Sequence, residues 1–147
     1  MGHEIKPSAA QVVEDIRLEY GAANNDLIKL MHKSRAGLPF SVYERLVESG
    51  PCTATDWARI LHLSERTLQR YKKSQRRFDA QQSERILQCV MLFSHALEVI
   101  RKGRVSDWLH GEVFVLENKA PIDFLDNSFG IKRIESHLTS IEYDLYS

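Results

Sequence analysis

Residues 63–78 read LSERTLQRYKKSQRRF and place Arg66, Arg70, Lys72, Lys73, Arg76 and Arg77 close together. Guanidinium groups pair bidentately with phosphate or with the guanine edge, and ammonium groups act as point charges toward phosphate. Gln69 adds an amide that can face adenine. Ser64 and Thr67 add hydroxyls beside them. The chemistry on offer is recognition of a polyanion, not bond-making. A charged run is usually a solvated helix face, so its surroundings must decide. The whole chain carries 20 basic and 20 acidic side chains, a formal net charge of 0. That balance is uneven: residues 1–50 sum to −1, residues 51–100 to +3 and residues 101–147 to −2. A basic middle between acidic ends suits two different partner surfaces.

Bond-making chemistry finds no constellation. The histidines are His3, His32, His62, His95, His110 and His137, and no two have the spacing of a helical metal pair. Cys52 and Cys89 lack a C-x-x-C partner, and Cys89 and His95 fall on different helix faces. Gly103 and Gly111 are isolated helix stops rather than a phosphate loop. The sequence therefore predicts no catalytic residue, no metal and no cofactor. The cysteine usage fits a reducing compartment. The opening MGHEIKPSAAQ lacks the apolar core of a secretory signal. The longest uncharged apolar-rich run, residues 86–97, is too short to span a bilayer. The expectation is a soluble, cytoplasmic protein without a membrane partner.

The elements that must hold the basic cluster come next. In ATDWARILHLSERTLQRYKK, residues 54–73, Ala58 is a small residue where two short helices can meet. Trp57, Leu61, Leu63, Leu68 and Tyr71 take inward positions, and Ser64 caps a second helix over about 65–74. This is the pattern of a helix-turn-helix. Its second helix enters the DNA major groove. Arg66, Thr67, Gln69 and Arg70 are then placed for base edges, with Lys72, Lys73, Arg76 and Arg77 placed for phosphates. His62 occupies the turn position often filled by glycine, which predicts a longer or less strained turn.

Flanking segments read as helices. AQVVEDIRLEY stops at Gly21. NNDLIKLMHKSRAG, capped by Asn25 or Asp26, carries an apolar stripe of Leu27, Leu30 and Met31. LPFSVYERLVESG is capped by Ser41 and lined by Val42, Leu46 and Val47. The longest helical signal follows Asp79, with Ile86, Val90, Phe93, Leu97 and Ile100 at spacings of four and three. VSDWLHG is a short helix, EVFVLENKAP a loop or short strand, and PIDFLD a turn opened by Pro121. A last amphipathic helix runs through Ile131, Ile134, Leu138 and Ile141. The fold class expected is all-α: a helix-turn-helix DNA-binding domain followed by a small, mainly helical domain. The boundaries are 1–36 for an N-terminal arm and helices, 37–78 for the helix-turn-helix region and 79–147 for the C-terminal domain.

Five pieces in order carry a resemblance: LSERTLQR (63–70), SERILQ (83–88), DWL (107–109), APIDFL (120–125) and FGIKRIESHLTSIEY (129–143). Together they resemble the Xre/MbcA/ParS-type antitoxins that pair with RES-domain toxins, over roughly residues 38–147. The resemblance implies a homodimer that represses its own operator through the helix-turn-helix. It also implies that the C-terminal domain holds a co-encoded, NAD-consuming RES toxin inactive, the NAD chemistry belonging to that partner. One departure is the loop before APIDFL, where the family often has glycines and this chain has Asn118 and Lys119.

On this reading Glu142, Tyr143, Asp144, Tyr146 and Ser147 form a toxin-binding tail. Tyrosine is a favoured interface anchor, and acidic groups suit a pocket that binds phosphates. The plainer reading is a frayed terminus, with toxin contact around Trp108 to Leu125 instead. Dimer contacts are expected from the N-terminal helices or from the 86–100 stripe. A stand-alone transcription regulator without a toxin is the alternative function.

Overall fold

The computed structural model describes residues 5–21 and 26–146. Among them the chain forms eight α-helices: α1 (Ala9–Tyr20), α2 (Leu27–Ala36), α3 (Phe40–Ser49), α4 (Ala54–Leu61), α5 (Glu65–Ser74), α6 (Ala80–Val99), α7 (Val105–His110) and α8 (Ser128–Tyr146). Two 3-10 turns, Phe114–Leu116 and Pro121–Phe124, lie between α7 and α8. No β-strand forms among the described residues, so the all-α expectation holds. The segment EVFVLENKAP makes a single antiparallel bridge, Val113 to Lys119, around the first 3-10 turn.

Local chemistry sets most helix starts. Thr53 and Asp56 close a reciprocal capping box at α4, as do Asp79 and Gln82 at α6. Asp26 caps α2 by accepting from the Lys29 amide at 3.0 Å; Asn25 lies outside the described residues. The expected Ser41 cap is not used. α3 starts two residues earlier than a Ser41 cap would place it, at Phe40, behind Pro39 and with no side-chain cap. Aromatic packing accounts for this: the Phe40 ring sits 5.0 Å from Tyr43 and 5.8 Å from Phe78, a gain larger than one exposed hydroxyl cap.

α6 is the axis of the molecule. At about 1.5 Å per residue it runs on the order of 30 Å, and α1, α2, α4 and α8 all pack against it. Ile86, Val90 and Phe93 are fully buried, and Leu97 and Ile100 are partly covered. The 86–100 stripe is thus used within the chain and offers no dimer face. α2 shows the opposite. Leu27 is 71% exposed, and Ile28 and Met31 also face outward. The only buried residue on this helix is Ser34, and of its stripe only Leu30 packs, partly covered, against the core. No described helix is long and apolar enough to cross a membrane.

Candidate nucleic-acid interface

The helix-turn-helix is built as its spacing requires. Trp57 on α4 is fully buried, edge-on to Phe93 of α6 at 6.1 Å and to Tyr43 of α3 at 6.3 Å. Leu61, Leu68 and Tyr71 are buried, and Leu63 and Ala58 pack partly covered beside them. The turn is tight, not extended. His62 takes the left-handed conformation, φ 55° and ψ 38°, and the Leu63 amide bonds the Ala58 carbonyl at 3.0 Å. The expected relaxed turn is corrected accordingly. A histidine tolerates this region better than most side chains, and its ring gains a partner, since Nε2–H donates to the Asp126 carbonyl at 2.8 Å.

α5 begins at Ser64, whose Oγ accepts from the Thr67 amide at 3.0 Å and donates to the Thr67 hydroxyl at 2.9 Å. Ser64 and Thr67 are therefore tied to each other at the helix start. Glu65 accepts from Thr55 at 2.9 Å, which links the two helices across their open end. Arg66, Gln69, Arg70, Lys72 and Lys73 are all exposed. Their spacings of three and four put Arg66, Gln69, Arg70 and Lys73 on one face, with Lys72 at its edge. None of the four cations forms an ion pair among the described residues. The last two basic residues are engaged elsewhere. Arg76 lies over the Tyr71 ring at 4.9 Å. Arg77 donates to the Gly37 carbonyl at 2.8 Å, beside a Phe78–Leu38 backbone bond of 3.0 Å.

The tail separates into two parts. Ile131, Ile134 and Leu138 bury α8 against the core. Glu142 stays on that inner side, with its carboxylate 3.7 Å from His95 Nε2, while Glu135 holds His95 Nδ1 at 2.7 Å. Glu142 therefore does not project with the rest. Tyr143, Asp144, Leu145 and Tyr146 are exposed, Tyr146 by 84%. Ser147 lies outside the described residues. Two further apolar side chains stand out in the C-terminal half, Phe114 at 84% and Phe129 at 85% exposed. Arg133 Nη2 donates to the Val115 carbonyl at 3.3 Å, drawing the start of α8 toward the first 3-10 turn. In the loop where the resembled family often has glycines and this chain has Asn118 and Lys119, Asn118 adopts positive φ, 60°, as does Glu117 before it, 59°.

A polar seam that spacing alone did not reveal joins α4 to residues 110–126. Asp56 Oδ2 accepts from the Thr53 amide at 2.9 Å and meets His110 Nε2 at 2.7 Å. His110 Nδ1 faces the Ser106 carbonyl at 2.7 Å. Both ring nitrogens thus face acceptors, which only the doubly protonated ring satisfies. Burial lowers the His110 pKa, but Ser106 and Asp56 outweigh it, and the net shift is upward. Arg59 donates to Asp123 at 2.8 Å, and this bond above all holds the Asp123 carboxyl below its usual range. Among the described residues no group of three or more potential metal ligands comes together.

A comparison with curated proteins returns no match. Residues 29–90 match the family model described as the antitoxin Xre-like helix-turn-helix domain. The matched span runs from α2 into α6 and contains the whole of α4, the turn and α5. Residues 29–90 are therefore an antitoxin Xre-like helix-turn-helix domain, built around an exposed basic helix.

Proposed function

We propose that the protein represses its own operon through α5 and neutralises a co-encoded RES-type, NAD-consuming toxin through its C-terminal half. The observation that carries the DNA part is the exposed face of Arg66, Gln69, Arg70 and Lys73 on a capped helix, inside a domain of the Xre antitoxin type. Arg66 and Arg70 read bases, while Lys72 and Lys73 bind phosphate. Arg76 and Arg77 contribute field rather than contacts, since one stacks on Tyr71 and the other holds Gly37. The protein acts as a homodimer, because one ten-residue helix reads too few base pairs and a second half-site supplies the rest. The outward apolar residues Leu27, Ile28 and Met31 of α2 support a dimer face on the N-terminal helices.

Toxin contact is assigned to Tyr143, Asp144 and Tyr146 at the overhanging end of α8, with Ser147 beyond them and Glu142 at their base. The regions 37–78 and 79–147 divide these two tasks, with α6 shared between them in packing.

Fluorescence anisotropy with the DNA upstream of the gene tests the first part. Arg66→Ala and Arg70→Ala should each weaken binding by about 1–3 kcal/mol, and Lys72→Ala should flatten the salt dependence. A double Arg66→Ala/Arg70→Ala variant that binds like the wild type would end the DNA reading. For the second part, a chain lacking residues 140–147 should keep operator binding and lose protection when co-expressed with the toxin. Growth and cellular NAD are the readouts. Full protection by the truncated chain would move toxin contact to the region of Trp108 to Leu125.

A further inference from the structure

Asp56, Arg59 and His62 follow one another at intervals of three, so they form one row along α4 and the turn beyond it. Every member of the row bonds to the same distant segment. Asp56 holds His110, Arg59 holds Asp123, and His62 holds the Asp126 carbonyl, at 2.7, 2.8 and 2.8 Å. Arg85 of α6 adds a longer bond to the Leu125 carbonyl at 3.4 Å. The segment they grip includes the exposed Phe114 and Val115. The Arg59 and His62 contacts are partly solvated, Arg59 being 58% exposed on its side chain, whereas the Asp56 carboxylate is buried. The solvated members contribute little to global stability; what the row fixes is direction.

α5 follows α4 closely. Only three residues separate the helices, the Leu63 amide is bonded back to Ala58, and Thr55 is bonded to Glu65. A change in how residues 110–126 sit is therefore passed to α4 and from α4 to the exposed face of α5. His62 marks the joint. Glycine would take its left-handed backbone at lower cost, yet only a side chain here can reach Asp126.

We propose that Asp56, Arg59 and His62 are positioning residues that couple the C-terminal segment 110–126 to the DNA-reading helix. Whatever grips that segment changes operator affinity, and operator binding changes affinity for that partner by the same factor. The proposal rests on the DNA reading above for its output, but the coupling itself can be measured without DNA.

Amide hydrogen exchange of the full chain provides that measurement. Asp123→Asn lies 64 residues from Arg59 in sequence. It should speed exchange roughly two- to fivefold in peptides covering 54–74 as well as locally, the range expected for loss of a partly exposed ion pair. Acceleration confined to 105–127 would overturn the coupling. His62→Gly keeps the turn and removes the ring contact, so it should give the same response in 54–74 while leaving helix content unchanged. In operator binding, Arg59→Ala should weaken affinity roughly two- to fivefold and Arg59→Lys should recover most of it. A second Asp123→Asn change on Arg59→Ala should add almost nothing. Full additivity of the two would overturn the proposal. Wild-type operator binding decides the DNA reading by itself; exchange in 54–74 decides the seam whichever way that falls.

Discussion

Gly130 lies in the first turns of α8, where alanine would ordinarily stabilise a helix by about 1 kcal/mol. Here a methyl group is expected to do the reverse. A Cβ at this position would press on the Phe124 carbonyl oxygen and would come within 2.9 Å of its carbon and 3.1 Å of its Cα. These are backbone atoms of the second 3-10 turn, so no rotamer change relieves the contact. The turn would have to withdraw by about 1 Å, and overpacking of this kind costs roughly 1–3 kcal/mol. The turn cannot withdraw freely. Ile122 and Leu125 are buried, and Asp123 and Asp126 are held by Arg59 and His62. Subtracting the helix gain leaves a net destabilisation of about 1–2 kcal/mol for Gly130→Ala. Urea unfolding followed by circular dichroism measures it directly. Gly103→Ala is the control: nothing lies within 4 Å of its Cβ, and its cost comes only from φ of +80°, about 1–2 kcal/mol. A Gly130→Ala protein as stable as the wild type would refute the packing argument, since the helix-propensity gain would then stand unopposed.

Two histidines should titrate on opposite sides of the ordinary value of about 6.5. His110 is raised by Ser106 and Asp56 against the pull of burial, so its contribution is full below the ordinary value and lost as pH rises through the raised one. His137 is lowered by burial and by Arg133, so its contribution is full at high pH and lost as pH falls. NMR titration should show the order His110 above His137, and Asp56→Asn should pull His110 down; a reversed order would contradict both assignments. Burial pushes both cysteine thiols up, Cys89 to about 12. Neither should react with a thiol reagent in the native state, and both should react in urea; rapid native labelling of either would show that the α4–α6 core opens readily.

How much of this was legible in the sequence depended on the range of the interaction. The capping residues Thr53, Ser64 and Asp79 act within three positions, and α5 spans the 65–74 that its local pattern predicts. The stripe of α6 is also local in pattern, since 3.6-residue periodicity survives without knowledge of partners. The start of α3 departs from its local capping signal because Phe40 packs on Tyr43 and Phe78, the latter far along the chain. α2 has a helical apolar stripe, but a stripe does not say whether its cover is the same chain or another. Arg59–Asp123 and Asp56–His110 join residues 64 and 54 positions apart. No local spacing encodes such pairs, and each member alone resembles an ordinary surface charge. Glu117 and Asn118 show a further limit: the loop needs two left-handed residues, and the chain supplies them without glycine.

The zero net charge does not weaken the nucleic-acid reading once the charges are sorted by what holds them. Arg59, Arg76 and Arg77 are held by Asp123, Tyr71 and Gly37, so they are fixed parts of the scaffold. Arg66, Arg70, Lys72 and Lys73 form no ion pair among the described residues and share one exposed helix. Field at a surface depends on local, unpaired charge within about a Debye length, roughly 8–10 Å, not on the sum over the chain. Four unpaired cations over two turns of α5 exceed what the nearby Glu65 offsets, and Glu65 is itself engaged by Thr55. The acidic residues that bring the total to zero lie mostly outside this segment. The same arrangement that places a positive face toward DNA leaves the C-terminal half free to carry the opposite sign toward a different partner.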